Sequence, residues 1–196
     1  MTDESWRVFC AIEFPPRVVQ QATAHIERLR ERFPNTSASW NRDGKFHLTL
    51  KFIGETPRPN VDRLTRAARR ATENLSSFNL IVAGSGAFPK KGPPKVLWLG
   101  INDPSGHLAV LHNRLEEVCT EEGFEKEERP FHPHLTIARL RKPQGACELA
   151  RAHKQYGFDA VEAAVTDLLV IRSELSSSGS KYTTISRHVI RGLGVG

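Results

Sequence analysis

Two short segments, His47-Leu48-Thr49-Leu50 and His134-Leu135-Thr136-Ile137, carry the same pattern, and each follows an apolar strand and a proline-opened helix at nearly the same interval. Pro16 opens the helix in the first half and Pro104 in the second, which is where proline's fixed φ and missing N–H are tolerated. A repeat of this kind restricts the chain to folds with two related halves. We therefore expect α+β architecture, two pseudo-symmetric lobes of mainly antiparallel sheet with helices outside, and a cleft between them. Residues 1–196 are expected to form a single domain made of these two lobes.

The remaining pattern fills in the halves. Residues 7–14 read as a buried strand, and Val19, Ala22, Ile26, Leu29 and Phe33 give the following helix its apolar face. Residues 46–53 predict the strand of the first motif, and a helix with Val61, Leu64, Ala68, Ala71 and Leu75 on one face comes next. Residues 78–82 and 96–100 predict two more strands, joined by a loop over 84–94. Asp103 and Pro104 predict a helix N-cap and first position, with Leu108, Leu111, Leu115 and Val118 as that helix's stripe. Residues 131–139 predict the strand of the second motif, then a short helix over 147–154 and strands over 164–172 and 182–190. Hairpin-like pieces favour antiparallel pairing beside any crossover.

Side chains alternate across a strand, so His47 and Thr49 share one face while Leu48 and Leu50 occupy the other, and His134 and Thr136 do the same. Facing lobes would bring two imidazoles and two hydroxyls to one cleft. That set suits in-line phosphoester cleavage, in which one group takes a proton from the attacking oxygen and another protonates the departing one. Histidine fits both tasks because its ordinary pKa of about 6.5 lets one ring be neutral and the other charged. Threonine hydroxyls donate to non-bridging phosphate oxygens. A lone strand histidine is ordinarily a satisfied structural residue, so the weight lies on the repetition.

The chain resembles the 2H phosphoesterase superfamily, specifically the RNA 2′,3′-cyclic phosphodiesterases first described as 2′-5′ RNA ligases. The likeness runs through residues 7–9, 46–55, 86–89, 96–100 and 131–139, and its tail over 173–182 is similar to the family's C-terminal hairpin. By that resemblance His47 is the proton donor to the ribose 3′ oxygen and His134 the base that activates water, leaving a 2′-phosphate end. Sequence alone leaves this order open. The resemblance also implies Thr49 and Thr136 as phosphate holders, Arg139 as a charged fork closing the second motif, no cofactor and no metal. Arg139 lies an odd number of residues from His134, so it reaches the same face only if the strand bulges or ends first.

Other residues have two readings each. Lys51 has the parity to join His47 and Thr49 on the phosphate, but a solvated strand-end lysine is the expectation. His132 has the parity of His134 and is expected exposed before Pro133. Phe52, Trp40 and Trp98 are candidate base stackers, with a core role expected for Trp98. The stretch 89–95, with Lys90, Lys91 and Lys95, is either a basic rim for RNA or a solvated hairpin connection.

Charge and cysteine usage bound the partners. Net charge is +6, with 28 Lys and Arg against 22 Asp and Glu, and the surplus reads as spread along the chain rather than held in a tail. A phosphate-bearing partner fits this balance, and RNA with a 2′,3′-cyclic phosphate terminus is the substrate the resemblance implies. Cys10, Cys119 and Cys147 lack metal or redox spacing, the start carries no export signal, and no run reaches a membrane span. A cytoplasmic monomer without a membrane partner is the expectation. Three rivals stand beside the phosphodiesterase. One is a metal-dependent phosphoesterase on His47, His132 and His134, which lacks nearby carboxylates. Another is an ATP-dependent ligase using residues 41–44, where asparagine replaces the required lysine. The last is a non-catalytic RNA-end-binding module.

Overall fold

The computed structural model describes residues 4–41, 46–176 and 179–191. Two antiparallel sheets carry the fold. The first has strand order β3-β1-β8-β9, built from β1 (Ser5–Glu13), β3 (His47–Pro57), β8 (Asp167–Ser176) and β9 (Gly179–Val189). The second has order β2-β6-β5-β4-β7, built from β2 (Ala38–Trp40), β4 (Phe78–Phe88), β5 (Val96–Asn102), β6 (His134–Leu140) and β7 (Val161–Val165). The helices are α1 (Pro16–Arg32), α2 (Arg58–Thr72), α3 (His107–Glu121) and α4 (Ala146–Tyr156).

The α+β expectation with antiparallel sheets holds, and the two halves interlock. In the first half, β1 and β3 pair antiparallel although α1 lies between them in sequence, and β5 and β6 repeat this around α3. Each of these helices packs away from its own strands. α1 lies against α4 and β7 of the second sheet, whereas α3 lies against α2 and β3 of the first. One apolar cluster consequently runs through both halves, from Val8, Ile12 and Leu48 to Leu97, Leu135 and Ile137, with Leu29 and Leu115 from the exchanged helices. Helices cover one face of each sheet. The opposite face of the first sheet holds a smaller cluster, Phe9, Ala11, Leu169 and Ile171, against which Tyr182 packs.

Several boundaries differ from the sequence reading. The predicted loop over 84–94 starts later, because β4 continues to Phe88 and pairs with Val96. Residues 164–172 are two strands: β7 closes the second sheet at Val165 and β8 opens in the first at Asp167, so the chain changes sheet at Thr166. α3 begins at His107 rather than Pro104, because residues 103–106 make a turn ending in Gly106 at φ 73°. Gly106 and not Asp103 is thus the N-cap, though Asp103 Oδ2 accepts from the first-turn amides of Leu108 at 2.9 Å and Ala109 at 3.3 Å. β6 begins at His134, since Pro133 has no N–H to give a ladder.

Candidate active site

His47 and Thr49 stand on the helix-free face of the first sheet, with Leu48 and Leu50 buried in the core behind them. The His47 ring lies 4.9 Å from Phe9 and meets Tyr182 edge-on at 5.0 Å, so two aromatic side chains fix its orientation. Tyr182 falls within the tail 173–182 and is not among the residues that the sequence predicts for the site.

His134 and Thr136 stand on the helix-free face of the second sheet, half-buried, with Leu135 and Ile137 buried beneath. Nδ1 of His134 donates to the His132 carbonyl at 2.7 Å, since that oxygen can only accept. The contact leaves Nε2 as the ring nitrogen it does not engage. Phe88 meets the ring edge-on at 5.2 Å. His132 itself is exposed, as expected, and serves through its carbonyl.

Both motif strands bulge one residue past the threonine. Ala11 pairs with Thr49 and Cys10 with Lys51, leaving Leu50 unpaired; Trp98 pairs with Thr136 and Leu97 with Ala138, leaving Ile137 unpaired. Each bulge reverses the alternation beyond it. Leu50 and Lys51 both turn inward, as do Ile137 and Ala138, and the next residues, Phe52 and Arg139, emerge exposed on the histidine side. Arg139 therefore shares the face of His134 and Thr136, by the bulge its spacing required. Phe52 is its counterpart in the first half and carries the Arg7 guanidinium 4.7 Å from its ring centre.

The same bulge overturns both readings of Lys51. The side chain is 2% exposed, and its Nζ donates to Glu116 Oε2 at 2.7 Å and to the Glu125 carbonyl at 2.8 Å. Glu116 Oε2 also accepts from the Glu127 amide at 3.1 Å. This buried ion pair thus ties the first motif's strand to α3 and to the chain leading into the second motif. Cys10 and Cys119 lie beside it, and burial pushes the Cys119 thiol up to about 12, which keeps it un-ionised.

Trp98 also departs from expectation. Its neighbours Leu97 and Leu99 are in the core, while its indole lies half-buried on the histidine side, 5.2 Å from Phe88. Gly86 makes this possible, because a Cβ there would fall 2.2 Å from the indole. Beneath that strand lie two histidines the sequence reading missed. His153 Nε2 donates to the Trp98 carbonyl at 3.0 Å, so its Nδ1 accepts from His25 Nε2 at 2.8 Å. Burial, with His153 and Arg28 nearby, pushes His25 down to about 4, and burial lowers His153 as well. Both rings are neutral supports. Trp40 packs at the edge of the core rather than on the histidine face.

The two motif strands adjoin. β3 and β6 come within 8 Å of one another between Cα atoms, and Asn41, at the end of β2, donates from Nδ2 to the Thr136 carbonyl at 3.2 Å only six residues before His47. Of the ligase-like stretch 41–44, residues 42–44 lie outside the described residues. No cluster of three His, Cys, Asp or Glu able to hold a metal occurs among the described residues, and no described helix is long and apolar enough to cross a membrane.

The family model of the 2′-5′ RNA ligase superfamily matches residues 14–176. The chain is 31% identical to the RNA 2′,3′-cyclic phosphodiesterase of Thermotoga maritima, over 91% of this chain and 92% of that protein. It is 29% identical to the protein of the same name from Aeropyrum pernix, over 82% and 92% respectively. The E. coli LigT structure in its apo form superposes with a TM-score of 0.72 at 25% identity, covering 96% of this chain and 99% of that one. A Thermus thermophilus structure at 24% identity reaches 0.78, covering 95% and 99%, and speaks to the fold. With one model spanning both histidine strands and the fold shared from end to end, the chain belongs to the 2′-5′ RNA ligase superfamily.

Proposed function

We propose that this protein hydrolyses 2′,3′-cyclic phosphate ends of RNA to 2′-phosphate ends, without a metal, using His47 and His134 as acid and base. The observation that carries the reading is the same bulged His-x-Thr-x strand on the helix-free face of each sheet, in two strands that adjoin. The Thermotoga and Aeropyrum relatives named RNA 2′,3′-cyclic phosphodiesterase support the substrate class.

In the reaction, His134 Nε2 takes a proton from water as its oxygen attacks phosphorus in line with the ribose 3′ oxygen. The P–O3′ bond breaks, and His47 gives its proton to the departing oxygen, leaving a 3′-hydroxyl and a 2′-phosphate. The Nδ1–H bond of His134 to the His132 carbonyl supports the base role, because a neutral ring so held presents its lone pair at Nε2. Thr49 and Thr136 donate to the non-bridging oxygens, and the Arg139 fork adds positive charge where negative charge gathers. With a 5′-hydroxyl in place of water as the nucleophile, the same steps join it to the cyclic phosphate end as a 2′-5′ linkage, P–O3′ again breaking, with no ATP. The enzyme acts in the cytoplasm, a reading supported by its free cysteines, Cys10 and Cys119 being buried and Cys147 exposed, and works as a monomer.

Incubating the protein with an RNA ending in a 2′,3′-cyclic phosphate, in EDTA and without ATP, tests this. The expected product keeps its phosphate on the 2′-hydroxyl. A 3′-phosphate product, or turnover only after a divalent ion is restored, overturns it.

A further inference from the structure

Two stretches of this chain carry basic residues and no acidic ones. Residues 84–102 and 130–147 contain no Asp or Glu, and between them they carry Lys90, Lys91, Lys95, Arg139, Arg141 and Lys142. These six basic residues therefore have no acidic residue beside them within either stretch. The pairing of β4, β5 and β6 lays the two acid-free stretches side by side. Val96 pairs with both Phe88 and Arg139, the Lys95 amide donates to the Phe88 carbonyl at 2.6 Å, and the Leu140 amide donates to the Lys95 carbonyl at 2.8 Å. All six side chains are exposed, and none joins an ion pair among the described residues. By contrast, Arg63, Arg66 and Arg70 of α2 are neutralised by Glu121 and Glu122.

The ridge begins at the candidate site. Phe88 touches the His134 ring at 5.2 Å and leads directly into the lysine-bearing turn. Arg139 shares the face of His134 and leads along the chain into Arg141 and Lys142. The groove past Phe52 mixes charges, with Glu55, Glu125 and Glu127 beside Lys126, and Glu127 paired to Arg129.

We infer that this ridge binds the sugar–phosphate backbone of a single-stranded RNA on the 5′ side of its reacting cyclic end, which makes the protein favour oligonucleotides over mononucleotides. The inference rests on the proposed phosphodiesterase reading. Uncompensated, solvated cations in a row suit a chain of phosphates, since each contact releases a counterion and none needs base identity.

The test compares wild type with the triple variant Lys90→Ala, Lys91→Ala, Lys95→Ala, whose exposed side chains leave the fold intact. Two substrates are used, a nucleoside 2′,3′-cyclic monophosphate and an RNA of about ten nucleotides ending in the same group. The expected result is an oligonucleotide KM raised about 10-fold, and a log KM against log salt slope smaller by about 2, at about 0.7 per lost phosphate contact. Mononucleotide kinetics stay within about twofold. An unchanged oligonucleotide KM, or an equal rise on both substrates, overturns the ridge. If wild type turns over neither substrate, the phosphodiesterase reading itself has failed. Binding of the same labelled oligonucleotide then decides the ridge: salt-sensitive binding weakened in the variant supports it, and equal binding ends it.

Discussion

Leu50 and Ile137 hold the same structural position in the two halves, each the unpaired residue of a bulge directly after a motif threonine. Through them the chain sends Lys51 into the core and Arg139 to the histidine face, at places where simple alternation gives the reverse.

If His47 and His134 are the proton carriers, replacing either with Ala lowers cleavage by about 10²- to 10⁴-fold. The melting temperature stays within a few degrees, because both rings stand on solvent-facing sheet surfaces. Single-turnover rates and a thermal melt on each variant check this, and a near-normal rate in either removes that residue from the mechanism.

The rate profile is expected to be bell-shaped in pH, since one imidazole must be neutral while its partner is charged. Steady-state kcat/KM across pH 5 to 9 reads this out, and a flat profile contradicts paired histidine catalysis.

Arg139 separates charge from geometry. With the fork on phosphate, Arg139→Lys keeps the charge but loses two parallel donors, and cleavage falls about 10-fold, with Arg139→Ala falling further. Equal activity in all three proteins means that Arg139 does not touch the reacting phosphate.

Lys51→Met leaves Glu116 buried without its cation and is expected to cost about 3–5 kcal/mol of folding stability. The double variant Lys51→Met with Glu116→Leu recovers most of that loss. Urea unfolding of the four combinations measures it; a single variant as stable as wild type shows that the pair contributes nothing.

Stability also depends on pH through His25. Its folded pKa of about 4 lies below the ordinary 6.5, so the unfolded chain takes up the proton first. The neutral ring's contribution is complete above about pH 6.5, declines as pH falls toward about 4, and changes no further below that. Denaturation midpoints between pH 7.5 and 4 should fall accordingly. In His25→Phe that part of the slope disappears, whatever the variant's absolute stability.

The sequence by itself determined the two-lobed α+β fold, the strands bearing His47, Thr49, His134 and Thr136, and the side of each strand on which these stand, because two-residue alternation against a buried leucine face is a local property. Tertiary structure decided the rest. The bulges at Leu50 and Ile137 depend on pairing with β1 and β5, so no local pattern placed Lys51 against Glu116 or turned Arg139 outward. The exchange of α1 and α3 between sheets, the His25–His153 support under Trp98 and the gathering of six cations on one ridge likewise join residues far apart in the chain. Pattern reading sees what neighbours in sequence impose on each other; burial and charge are settled by neighbours in space.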